Sequence, residues 1–159
     1  MNQKSLSVWL KVITVGLALI GLAVYLLIIP ACGQSIVSQY PEFSDRYLPW
    51  LIFISLTAVP VFWALVLVWL IAANIGADRS FTVGTAGYMK WISWLAAADS
   101  AFFFIGSIVM LLLNMSHPGV ALISMMFVFL GAAIAAGAAA LSHMIRKAAV
   151  LQEQSDLTI

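Results

Sequence analysis

Four nearly unbroken apolar runs organise the chain, at about 12–29, 51–73, 92–113 and 120–141. None contains Lys, Arg or Glu. A helix needs roughly 20 apolar residues to cross the hydrocarbon of a bilayer, so each run is about long enough. Strands that cross lipid alternate apolar and polar positions over about ten residues. These runs do not alternate, and the pattern therefore predicts four helices. Between the second and third runs lies the one long polar break in the middle of the chain, about 74–90, with Asp78, Arg79 and Lys90.

Local signals refine the ends. Pro30 and Gly33 are expected to stop the first helix, because proline lacks the backbone donor a helix interior needs. Ser44 or Asp45 is expected to cap the entry to the second, with Pro49 in its first turn. Pro60 should bend that helix, with Thr57 and neighbouring helices re-satisfying the freed carbonyl. Asn74 and Gly76 should end it, Gly76 as a left-handed cap. Thr82 should cap a helical turn over 83–90 that leads directly into the third span. Gly84 and Gly87 weaken that turn, so the loop is expected to be mobile or ordered only by a partner, with a mere connector as the leading reading. In the fourth run Gly131, Ala135 and Ala139 recur every four residues, as do Ala133 and Gly137. Small residues at this spacing let helices approach closely in lipid, here within the bundle.

Composition agrees with lipid as the solvent. The 159 residues are 64% apolar and only 8% charged, with a mean hydropathy of +1.10. So few charges could not clothe a soluble exterior. A formal charge of +1 gives no basic face for nucleic acid, and direct nucleic-acid binding is not expected. The single cysteine, Cys32, cannot form an intrachain disulfide. No Cys/His spacing suggests a metal, His117 has no acidic or cysteine neighbour in sequence, and no cofactor motif stands out.

Charge sets the expected orientation. Lys4, Lys11, Arg79, Lys90, Arg146 and Lys147 all fall on one side of four spans, and Arg46 alone on the other. By the positive-inside rule both termini and the central loop are cytoplasmic. Trp9, Trp69, Trp91 and Trp94 fall near the inner boundary, and Tyr25, Tyr47 and Trp50 near the outer one. The segment around Ile29-Pro30-Ala31-Cys32 loosely resembles a lipoprotein signal. The long apolar run and the proline before the cleavage pair favour a retained helix instead. The outer loop, about 31–48, reads as an aromatic cap over the bundle, with a ligand lid as the alternative.

Two groups of residues are candidates for function. Asp99 is the ionisable group deep in an apolar run, and a carboxylate there must be paired, hydrated or protonated. Ser100 and Thr14 are its expected partners, with His143 a weaker one. Its role is either to lock helices together or to serve as a proton or cation site. The second group is the cytoplasmic set Asp78, Arg79, Phe81, Lys90, Arg146 and Lys147, where a soluble partner would dock. No phosphate-binding glycine loop, nucleophile elbow, paired carboxylates or metal cluster is present in the sequence, so an enzyme is not expected.

The segments MNQKSLSVWLKV, YPEF from Tyr40, PWLIF from Pro49, NIGADRSF from Asn74, DSAFF from Asp99, LLLNMSHPG from Leu111, and ALSH with the tail QEQSDLTI carry a resemblance. Over nearly its whole length the chain resembles the DUF2975-type family of small four-span bacterial membrane proteins of unknown function, common in Firmicutes. Members are often encoded beside a small helix-turn-helix regulator. The resemblance implies such a regulator as a partner, and it carries no catalytic residues. At Val83-Gly84-Thr85-Ala86-Gly87 the chain departs from the polar, acidic helix start of its relatives.

The expectation is an all-α membrane protein, a single integral membrane domain over 1–159. Its four transmembrane helices form a compact bundle in the bacterial cytoplasmic membrane, both termini inside. The expected function is a non-enzymatic regulator or sensor. The alternative is a small transporter or channel, a homo-oligomer, using Asp99. A structural or immunity-type membrane protein is a third.

Overall fold

The computed structural model describes residues 2–116 and 118–156, and every regular element among them is helical. The reading of His117 lies outside the described residues. The helices are α1 (Gln3–Ala23), α2 (Ile29–Gln39), α3 (Ser44–Gly76), α4 (Val83–Leu112) and α5 (Pro118–Asp156). A π-helical turn, Val24–Ile28, joins α1 to α2 without a break, and a 3-10 turn, Pro41–Phe43, leads into α3. Four helical segments are long and apolar enough to cross a membrane. The shortest, Val83–Leu112, has 30 residues. At about 1.5 Å per residue it exceeds a hydrocarbon core of about 30 Å. Large apolar side chains stay exposed on the outer faces, Leu112 at 76% and Phe129 at 74%. In water that surface would be costly, whereas lipid tails cover it without penalty.

Pro30 does not stop the first helix. The turn before it widens, and the Ile29 amide reaches back five residues to the Val24 carbonyl. A proline ring normally collides with the carbonyl four residues earlier, and the wider turn relieves that collision. Gly33 is needed for another reason. A Cβ there would stand 2.5 Å from Tyr47 Cε2, so the glycine lets the Tyr47 ring close on α2.

Gly76 is not a left-handed cap either. It stays within α3, and Asp78 takes the left-handed conformation at φ 56°. A Cβ at Gly76 would meet Ser7 Oγ at 2.7 Å, and Ser7 itself donates to the Ala72 carbonyl at 2.6 Å. The glycine thus serves the α1–α3 crossing. Ser44 and Asp45 make no capping hydrogen bond at the start of α3, where Phe43 occupies the cap position. Thr57 sends its hydroxyl to the Ile54 carbonyl at 2.7 Å rather than to the carbonyl freed by Pro60.

Extensive packing follows chain order, α1 on α3, α3 on α4 and α4 on α5. These pairings follow the spans as a row, whose first and last helices, α1 and α5, also meet at the loop end. Serine hydroxyls tie α4 to α5. Ser93 donates to the Ala135 carbonyl and Ser142 to the Ala86 carbonyl, at 2.8 and 2.7 Å. Gly131 admits Ser100, whose Oγ would be 2.1 Å from a Cβ there. The contact face of α5 runs through Gly131, Ala135, Ala138 and Ser142, steps of four, three and four that track the 3.6-residue turn. A strict four-residue step drifts off that face. Ala139 is accordingly exposed, and Gly137 has open space where a Cβ would be. The buried core joins Leu67 and Ile71 of α3, Ile92 of α4 and Ala138 of α5.

Candidate functional site

Three places gather polar groups. The first is the end of the row that holds the central loop. Only 77–82 separates α3 from α4, so the turn 83–90 is the start of α4 itself. Thr82 caps it, accepting from the Thr85 amide at 3.2 Å. Thr85, 1% exposed, pins the loop from beneath. Its hydroxyl donates to the Arg79 carbonyl at 3.2 Å and accepts from Asn74 Nδ2 at 3.0 Å. The Arg79 amide donates to the Asn74 carbonyl at 2.9 Å. The loop is thus ordered by its own polar groups, despite Gly84 and Gly87.

Around this loop lies a cleft of about 480 Å³. Gln3 of α1, 78–82 of the loop, and Ala149, Gln152 and Glu153 of α5 line it. Three segments far apart in sequence therefore share one surface. Of the residues expected to bind a partner, Asp78, Arg79 and Phe81 line the cleft, and Phe81 is 56% exposed. Lys90, Arg146 and Lys147 are exposed but do not line it. Gln3, Gln152 and Glu153 were not anticipated. Their signal was faint, being polar positions on helices that outrun the bilayer.

The second place surrounds Asp99. The residue is partly buried near the middle of α4, deeper along its helix than the apolar run suggests because α4 begins at Val83. Ser100 and Thr14 do not serve it. They donate to carbonyls of their own helices, Ala96 and Leu10, each at 2.7 Å. A hydrogen bond between two other spans is the nearest polar pairing described: the Tyr25 hydroxyl of the π-helical turn is bonded to Thr57 Oγ1 of α3 at 2.8 Å. The single Thr57 hydrogen goes to the Ile54 carbonyl, so Tyr25 is the donor in this bond. Tyr25 is turned inward to this bond from the widened π-helical turn.

The third place is an apolar groove of about 640 Å³ at the other end, between α2, the start of α3 and the start of α5. Among the described residues no cluster of three His, Cys, Asp or Glu side chains could hold a metal ion.

The four apolar helices find a counterpart among known proteins. The chain is 26% identical to the uncharacterized membrane protein YoaS of Bacillus subtilis (strain 168), over 165 residues that cover 100% of both chains. No solved structure matches. The family described as protein of unknown function DUF2975 matches residues 31–159, and the chain belongs to that family.

Proposed function

We propose that this protein is a non-enzymatic regulator or sensor of the bacterial cytoplasmic membrane that holds or releases a soluble partner at the loop-end cleft. The observation that carries this reading is the meeting of Gln3, the loop 78–82 and Gln152 and Glu153 around one cleft. The six-to-one bias of cationic residues supports a cytoplasmic position for that end. The cleft offers an exposed aromatic anchor, Phe81, with Asp78, Arg79 and Glu153 around it. Interfaces commonly combine such an anchor with a polar rim. A small helix-turn-helix regulator is the partner that the resemblance implies. A partner gripping α1, the loop and α5 together would feel any shift between the first and last helices of the row.

The test is affinity capture from native membranes, comparing the intact protein with one whose 78–82 loop is a neutral linker of equal length. Capture of a DNA-binding protein by the intact form alone supports the reading. Capture of the same proteins by both forms removes the loop from the account.

A second reading rests on the partly buried carboxyl of Asp99 near the middle of α4: a small oligomeric transporter or channel with Asp99 as its proton or cation site. In proteoliposomes Asp99→Asn then abolishes flux while helix content is unchanged. Equal loss of expression and stability points to helix locking instead.

A further inference from the structure

We propose that the groove at the end opposite the central loop is a binding site for one anionic membrane lipid, holding an acyl chain along its walls and the phosphate at Arg46. Its volume of about 640 Å³ falls within the roughly 300–1,000 Å³ of small-molecule sites. The lining is aliphatic and aromatic, with Ile36, Val37, Trp50, Ile54 and Ile123 among its walls, and among the described residues Arg46 is the one charged group in it.

The groove is built rather than incidental. Gly33 lets the Tyr47 ring press on α2, and the Tyr47 hydroxyl donates to the Pro30 carbonyl at 3.4 Å. On the far wall, Trp50 Nε1 donates to the Met115 carbonyl at 2.8 Å. Arg46 Nη1 donates to the Asn114 carbonyl, and the guanidinium stands over the Phe43 ring, 5.2 Å from its centroid. A carbonyl and a ring face orient the guanidinium without cancelling its charge. The remaining N–H groups of the fork suit a phosphate, which guanidinium recognises bidentately.

Charge selects the occupant. The groove walls alone would accept any apolar chain. A cation at the mouth of an apolar slot within reach of the headgroup layer matches a lipid with a negative head and a long tail. Asp45 and Glu42 lie nearby in sequence but do not line the groove.

The chain supplies its own reporter, because Cys32, its single cysteine, lines the groove and is exposed. The full chain, purified in detergent, is titrated with phosphatidylglycerol or phosphatidylcholine. Retained lipid is read by native mass spectrometry, and Cys32 occupancy by its rate of maleimide labelling. Phosphatidylglycerol is expected to bind about fivefold more tightly, the effect of one cation on an anionic lipid, and to slow labelling. Arg46→Gln should bring the two lipids to near parity while the acyl chain still protects Cys32. Ile36→Trp should fill the slot and abolish protection by either lipid at unchanged helix content. Equal retention of both lipids by the native chain overturns the proposal. So does retention without any change at Cys32, or protection that follows self-association in the absence of lipid.

Discussion

Tyr25 of the π-helical turn donates its hydroxyl to Thr57 Oγ1 of α3 at 2.8 Å. This bond joins the first span to the second. Hydrogen bonds between helices in membranes average about 0.6 kcal/mol in double-mutant cycles. Tyr25→Phe and Thr57→Ala, alone and combined, should show coupling of about that size in reversible unfolding from mixed micelles. Coupling of zero would mean that the bond contributes nothing in the folded protein.

Two glycines in apolar surroundings should behave oppositely. A Cβ at Gly106 would stand 2.0 Å from Phe53 Cε2, and Phe53 is stacked on Phe103 at 5.4 Å between centroids and edged by Trp50. The ring has no room to yield, so Gly106→Ala should cost about 1–3 kcal/mol. Gly137 faces open space, and Gly137→Ala should be neutral or gain up to about 1 kcal/mol from helix propensity. The same unfolding assay distinguishes them, and equal effects contradict the packing described.

Ser107 is 1% exposed, and its Oγ has no hydrogen-bond partner among the described residues. A buried hydroxyl left unpaired costs about 1–3 kcal/mol. Ser107→Ala removes that cost and leaves only a small void, so stability should rise by about 1 kcal/mol. A fall of similar size would show that the hydroxyl is satisfied in the membrane.

Orientation is checked with single cysteines in a Cys32→Ser background. Gln152→Cys lies at the loop end and Gln39→Cys at the other. In intact cells an impermeant maleimide should label the second and spare the first until the membrane is opened. Equal labelling of both in intact cells contradicts the positive-inside assignment.

The sequence reveals the helices far better than it reveals what they hold. Four long apolar runs are sufficient to predict helices, because continuous hydrophobicity has no other common use in lipid. Thr82 as a cap was legible because the signal is local. Pro30 and Gly76 misled for a common reason. Each carries a strong local preference, and in each case tertiary packing overrode it, through the widened turn before Pro30 and the Ser7 contact at Gly76. Asp99 stood out as an isolated charge, but its neighbours did not. The expected partners Ser100 and Thr14 bond carbonyls of their own helices instead. The cleft at the loop end was half legible. Asp78, Arg79 and Phe81 stand in the one long polar break, whereas Gln3, Gln152 and Glu153 join them only through the folding of the row.

The most direct test of the regulator reading is photo-crosslinking in native membranes from three positions, Phe81 and Gln152 in the cleft and Leu112 at the far end. A shared docking surface predicts the same soluble protein crosslinked from Phe81 and from Gln152, and not from Leu112. Crosslinks only to lipid or to further copies of the chain, or different partners at Phe81 and Gln152, would contradict it.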